Sequence, residues 1–251
     1  MEHWLYSKDG FSKYDTAEST LFVWQRMRTQ GHTIPALHYH LERLSAVSRE
    51  IFGSAITLQA KEVEQRCREL LLRGNYSDKG IHIVEIRLEA SADYSLRVVE
   101  SSIYKKLDLR VVRPKAHLVE LAGQALTLPT STAQSVQQLL ATIATANDCA
   151  IAVATDAKGR VWSVDGASPI VVKGLKITLS PTIESAEMLQ AEKILRERYA
   201  DHLTIGPITT EQIAAADELF YVDARGITSV SQCGESSYSD SIAYALSKFT
   251  K

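Results

Sequence analysis

Residues 37–53 read Leu37-His38-Tyr39-His40-Leu41-Glu42-Arg43-Leu44-Ser45-Ala46-Val47-Ser48-Arg49-Glu50-Ile51-Phe52-Gly53. Behind Pro35, the residues Leu37, Leu41, Leu44, Val47 and Ile51 recur at three- and four-residue intervals, which is the spacing of one apolar helix face. Gly53 supplies the left-handed stop, so an amphipathic helix is predicted. Upstream, Trp4-Leu5-Tyr6 reads as a strand, Lys8-Asp9-Gly10 as a turn, and Leu21-Phe22-Val23-Trp24 as a second strand ending at a Gln30-Gly31 turn. Downstream, a second helix over 58–73 buries Val63, Cys67, Leu70 and Leu71 and stops at Gly74-Asn75. Residues 81–88 and 107–112 are β-rich, with a further strand around 94–99. The first half is thus two helices on one small sheet.

The stretch 117–129 loses periodicity and carries a Gly and a Pro. It is expected to divide a small α/β domain (1–117) from a larger α+β domain (129–251) through a linker (118–128). The larger domain opens with a helix near Thr132 that buries Val136, Leu139, Leu140 and Ile143. Short strands at 150–154, 160–164, 169–172 and 177–179 follow, joined by turns at Asp156-Ala157-Lys158-Gly159 and Lys173-Gly174-Leu175, and read as one antiparallel meander. A helix over 185–199, a short helix opened by Thr209 and Gln212 at capping-box spacing, strands at 219–222 and 228–230, and a final helix complete a two-domain α+β chain.

The 251 residues are 45% hydrophobic and 23% charged, an ordinary globular balance. With 28 Lys plus Arg against 30 Asp plus Glu, no whole-chain field recruits nucleic acid or an anionic membrane, so neither partner is expected. Three widely spaced cysteines, Cys67, Cys149 and Cys233, lack C-x-x-C spacing and suit a reducing cytoplasm. No window approaches 18 uninterrupted apolar residues, so no membrane span or signal peptide is expected.

The order of elements and several short motifs resemble the class IV family of pyridoxal-phosphate enzymes, which holds branched-chain and D-amino-acid aminotransferases and 4-amino-4-deoxychorismate lyases. The motifs are His40-Leu41-Glu42-Arg43-Leu44, Asp156-Ala157-Lys158-Gly159-Arg160-Val161, Ala216-Asp217-Glu218-Leu219-Phe220 and Gly226-Ile227-Thr228-Ser229-Val230. The short length and the Cys233-Gly234 tail look most like the lyase branch. The resemblance implies a small α/β domain followed by a larger domain with a meandering, barrel-like sheet. It also implies a homodimer.

In that family the Arg of the H-x-x-R-L helix binds the cofactor phosphate, and Arg43 matches it; a planar guanidinium suits that task. Read without the family, Arg43 is a solvated helix residue paired with Glu42 or Glu50. The family's chemistry needs a lysine to hold the cofactor aldehyde as an imine. Its position falls on Ser131, and between Lys115 and Lys158 there is neither Lys nor Arg. The carboxylate facing the cofactor ring nitrogen falls on Ser163, and the phosphate turn on Ala186-Glu187-Met188. The family's N-terminal G-D-G stretch reads Ser19-Thr20-Leu21-Phe22 here. A hydroxyl forms no stable imine, Met188 offers a phosphate no hydroxyl, and Glu187 beside one repels it.

Other constellations are weaker. His38-x-His40 sets two rings on different helix faces without an acidic partner, so no metal site is predicted. Cys233 needs a nearby His to act as a nucleophile. No G-x-S-x-G elbow exists. Trp162 is expected to fill space beside Ser163.

Two functions compete. On the first, a class IV-like chain has lost the imine lysine and conventional pyridoxal-phosphate catalysis, needs no cofactor, and serves as a small-anion binder, a partner subunit or a cofactor-independent enzyme. On the alternative, it is an active 4-amino-4-deoxychorismate lyase or aminotransferase in which a displaced lysine, Lys115 or Lys158, holds pyridoxal 5'-phosphate.

Overall fold

A computed structural model describes residues 4–13, 21–104, 106–121 and 123–249. The chain divides into two compact units, Met1–Lys105 with Pro129–Thr132, and Lys106–Leu128 with Ala133–Lys251.

The first unit holds β1 (Trp4–Ser7), β2 (Gly10–Lys13), β3 (Phe22–Arg28), α1 (Leu37–Phe52), α2 (Ala60–Arg73), β4 (Ile81–Glu89) and β5 (Tyr94–Ser102). Its antiparallel sheet runs β2-β1-β5-β4-β3. Strand β2 escapes the sequence pattern because Gly10-Phe11-Ser12-Lys13 shows no apolar alternation. A tight turn creates it, with Ser7 paired to Gly10 and Gly10 at φ 97°. The apolar stripe of α1, Leu37, Leu41, Leu44 and Val47, is buried as its spacing predicts, and Gly53 closes the helix at φ 76° by donating its N–H to the Arg49 carbonyl. Each such side chain contributes about 1.5–3 kcal/mol of burial. Cys67 of α2 is fully buried, and that burial pushes its thiol up to about 12.

Strand β3 alternates. Val23, Gln25 and Met27 point one way; Trp24, Arg26 and Arg28 point the other. The segment Pro129–Thr132 docks on this strand, with the Trp24 backbone N–H donating to the Pro129 carbonyl at 2.8 Å and its indole N–H to the Thr130 carbonyl at 3.0 Å.

The second unit contains β6 (Lys115–Glu120), most of α3 (Ser131–Ala146), β7 (Ile151–Thr155), β8 (Arg160–Val164), β9 (Pro169–Lys173), β10 (Lys176–Leu179) and α4 (Ala186–Tyr199). It continues with β11 (Leu203–Ile205), β12 (Ile208–Thr209), α5 (Thr210–Ala215), β13 (Glu218–Asp223), β14 (Gly226–Ser229), β15 (Gln232–Cys233), β16 (Ser236–Ser237) and α6 (Ser241–Lys248). Thr209 and Gln212 form the expected capping box at α5. One sheet runs β11-β10-β9-β13-β14 and the other β12-β8-β7-β6-β15-β16. Their inner faces share a core of Val153, Val161, Val171, Leu219 and Tyr221. Outside the first sheet, Ile170, Val172, Phe220 and Val222 pack with α4 and α6; outside the second, Ala152 and Ala154 pack with Leu140 and Ala144 of α3. Strands β9 and β13 are therefore apolar on both faces.

Three sequence expectations change. The single meander is two hairpins in different sheets, β7–β8 and β9–β10, because β9 pairs with β13 instead of β8. Residues 107–112 form no strand. Leu109 makes one bridge, to Ile227, while Val111 and Val112 are 84% and 60% exposed. The presumed linker 118–128 begins inside β6, which pairs in parallel with β7, and ends near buried Leu126. Parallel pairing across a helical crossover leaves no hairpin signal in the sequence, which is why periodicity seemed to vanish there.

Candidate functional site

Arg43 lies half-buried on the α1 face, one turn beyond His40. Glu42 Oε1 lies 3.0 Å from His38 Nε2, one turn earlier on α1. Burial, reinforced by the Arg43 charge, drives the His40 imidazole down to about 4, and His40 is 2% exposed. His38 is solvated and His40 buried, so the two rings do not converge. Among the described residues no cluster of three or more His, Cys, Asp or Glu is placed to hold a metal. Ser131, onto which the motif resemblance places the family lysine, is the first residue of α3. Ser19 and Thr20 lie outside the described residues.

The second unit carries the other positions that the motif resemblance singles out. Helix α4 opens at an N-cap Ser185, whose hydroxyl accepts from the Met188 N–H at 3.0 Å. Glu187 sits in the first turn and is 7% exposed, so the chain's own carboxylate lies at the positive end of the helix dipole. Ala186 offers no side-chain donor and Met188 is buried in the core beneath α4. Every lysine whose side chain is described is exposed, including Lys115 at the start of β6 and Lys158 in the β7–β8 turn.

Ser163 is fully buried, and among the described residues its hydroxyl has no hydrogen-bond partner. A register shift explains its orientation. Ala154 pairs with Ser163 but Thr155 pairs with Val161, leaving Trp162 as the extra residue of a bulge. Ser163 shares a face with Ala154, under α3. Trp162 does not fill space beside it. The indole N–H donates to Asp156 Oδ2 at 3.1 Å across the turn, and the Arg160 guanidinium lies 4.2 Å over the ring. An unsatisfied buried hydroxyl costs about 1–3 kcal/mol. Ser163→Ala is accordingly expected to raise stability by roughly 1 kcal/mol in urea unfolding, and Ser163→Glu to lower it by several. A loss of stability in Ser163→Ala would show that the hydroxyl has a partner.

A charged cluster that sequence reading missed stands two residues beyond Ser163. Asp165 Oδ2 accepts from the Tyr221 hydroxyl at 2.9 Å and from Arg225 Nη2 at 2.6 Å; Asp223 Oδ2 accepts from Arg225 Nε at 2.7 Å. Burial opposes the Arg225 charge, yet Asp223, Tyr221 and Asp165 together outweigh it and hold the guanidinium protonated. Burial, aided by Asp165, pushes the Tyr221 phenol well above its ordinary value. The cluster ties the end of β8 to the β13–β14 turn. Its only sequence signal was Asp223-Ala224-Arg225-Gly226, a polar turn between apolar strands. Cys233 is 4% exposed, and burial pushes its thiol up to about 11, which leaves it protonated at neutral pH.

No protein-family model and no curated protein sequence matches the chain. Solved structures do. A putative branched-chain amino acid aminotransferase from Thermotoga maritima superposes with a TM-score of 0.79 at 14% identity, over 99% of this chain and 94% of that one. A branched-chain aminotransferase from Thermoproteus uzoniensis gives 0.77 at 16% identity, over 99% and 93%. An aminotransferase from Brucella abortus, bound to pyridoxal phosphate, gives 0.77 at 16% identity, over 99% and 97%. The chain thus has the class IV aminotransferase fold, as the motif order had implied.

Proposed function

We propose that this class IV-like protein has abandoned imine chemistry and works as a small-anion binder, a partner subunit or a cofactor-independent enzyme. The observation that carries the reading is that no described side chain supplies an enclosed primary amine. The motif resemblance puts Ser131 at the family lysine position, no Lys occurs between Lys115 and Lys158, and every lysine whose side chain is described is exposed. The other donors agree. The first turn of α4 presents Glu187 where a phosphate needs hydrogen-bond donors, and Ser163 offers a ring nitrogen no negative charge. This set does not fit pyridoxal phosphate, so no catalytic step is assigned through it.

The second reading is an active lyase or aminotransferase with a displaced lysine, and the cofactor seen in the Brucella abortus structure favours it. Visible absorption separates the two. Protein purified with excess pyridoxal phosphate and then desalted is expected to show no aldimine band and no borohydride-fixed adduct. A retained band, mapped to Lys115 or Lys158 and accompanied by release of p-aminobenzoate from 4-amino-4-deoxychorismate, would establish the second reading. A homodimer is proposed with either reading, from the motif resemblance, and sedimentation velocity tests it. Three free cysteines support a reducing, cytoplasmic setting, and among the described residues no helix is long and apolar enough to cross a membrane.

A further inference from the structure

We infer that Ser101 and His82, in the first unit, form a serine nucleophile and its general base, which accept an acyl group from a small activated ester. His82 Nε2 lies 3.0 Å from the Ser77 carbonyl oxygen. A carbonyl only accepts, so Nε2 carries the proton, and the lone pair of the neutral ring sits on Nδ1. Ser101 Oγ is 2.9 Å from Nδ1. The serine hydroxyl therefore donates to the imidazole, which is the polarity that nucleophilic attack requires.

Strand geometry produces this contact. The His82 N–H donates to Thr29 Oγ1 at 3.0 Å and the Thr29 N–H to the His82 carbonyl at 2.8 Å, so the backbone groups of His82 face β3. His82 and Ser101 are paired across β4 and β5. They form a non-hydrogen-bonded pair, in which opposing side chains come closest. The ring is also fixed. It is 4% exposed and meets the Tyr76 ring edge-on at 4.9 Å, and a Cβ on Gly80 would lie 2.8 Å from both Cε1 and Nε2. Ser101, in contrast, is exposed. A buried, oriented base beneath an accessible hydroxyl has the three-part logic of nucleophile, base and orienting group, with the Ser77 carbonyl as the third part.

The step balances without a co-reactant other than water. Ser101 Oγ attacks the ester carbonyl carbon as its proton moves to Nδ1, and the carbonyl π pair goes to oxygen. Collapse breaks the bond to the leaving alkoxide or phenolate, which takes the proton from Nδ1. Water repeats the sequence on the acyl-serine, releasing the acid and restoring the hydroxyl.

The full chain is treated with a fluorophosphonate probe and, separately, with p-nitrophenyl acetate, and adducts are mapped by peptide mass. Expected is labelling at Ser101 roughly a hundredfold above that of the exposed Ser91 and Ser237, which have no histidine partner among the described residues. Ser101→Ala should abolish it. Gly80→Ala, which displaces the ring, should slow it by at least about tenfold in protein whose thermal unfolding midpoint shows a folded chain. Labelling of Ser101 no faster than Ser91 and Ser237 overturns the inference. So does a rate that Gly80→Ala leaves unchanged. Wild-type mapping alone decides the matter if that variant does not fold.

Discussion

Glu85→Ala is expected to destabilise the first unit by about 3–5 kcal/mol, because it leaves guanidinium groups packed around a missing charge. The Glu85 side chain is fully buried. Its Oε1 accepts from Arg87 Nε at 2.8 Å and Arg97 Nη2 at 2.5 Å, and Arg26 Nε lies 3.5 Å from Oε2. Two of the cations also rest on aromatic rings, Arg87 at 4.4 Å over Phe22 and Arg26 at 5.3 Å over Trp24. Urea unfolding followed by tryptophan fluorescence in a Trp162→Phe background reads this unit through Trp4 and Trp24. A loss under about 1 kcal/mol would mean that water replaces the carboxylate easily, and the buried-pair argument fails.

Acid should dismantle the same unit in two stages. Burial holds the His40 imidazole at about 4, below its ordinary 6.5, so only the unfolded chain takes up that proton between the two values. The stability associated with keeping His40 neutral is complete above 6.5 and is lost as pH falls toward 4, about 3 kcal/mol in all. Burial opposes ionisation of Glu85, but Arg97, Arg26 and Arg87 outweigh it and hold the carboxyl below its ordinary 4.5. Its contribution is present above 4.5 and disappears as pH falls through the lower folded value. Replacing His40 with Phe should remove the first stage and leave the second.

The other large effect is expected at Glu218, on β13. Its carboxylate accepts from the Ile242 N–H at 2.9 and 3.0 Å and from the Ala243 N–H at 3.3 Å, at the start of α6. Side-chain capping of α6 by its own N-cap residue, Asp240, is absent, so Glu218 supplies from a distant strand what a cap normally does. Glu218→Ala should cost about 2–3 kcal/mol, and Glu218→Gln less, since its amide oxygen still accepts. Hydrogen exchange locates the effect. The amides of Ile242 and Ala243 should lose protection before β13 does. If they exchange as in the parent chain, Glu218 is not what closes the helix.

These contacts mark where sequence reading ends. Helix α1 was legible because five apolar residues fall on one 3.6-residue face, and α5 because its capping box is a local pattern. Sheet membership was not. Residues 160–172 look like consecutive meander strands, yet β8 and β9 part into different sheets, a choice made by distant β13 and β7. The candidate site divides similarly. The stretch without Lys or Arg between Lys115 and Lys158 is legible in the sequence, whereas the direction of Ser163 depends on the bulge at Trp162. The Asp165–Arg225 pairing joins residues that only the fold brings together, and the His82–Ser101 contact depends on which backbone groups face β3.

Strand β13 has one further implication. Sliding it by a single position exchanges Leu219 and Tyr221 for Phe220 and Val222, one oily set for another, so hydrophobicity alone does not choose its alignment. What locks the phase is the pair of polar hooks at its ends, Glu218 on α6 and Tyr221 with Asp223 on the Asp165–Arg225 pair. Simultaneous loss of both hooks should yield a chain that still collapses but samples more than one strand alignment.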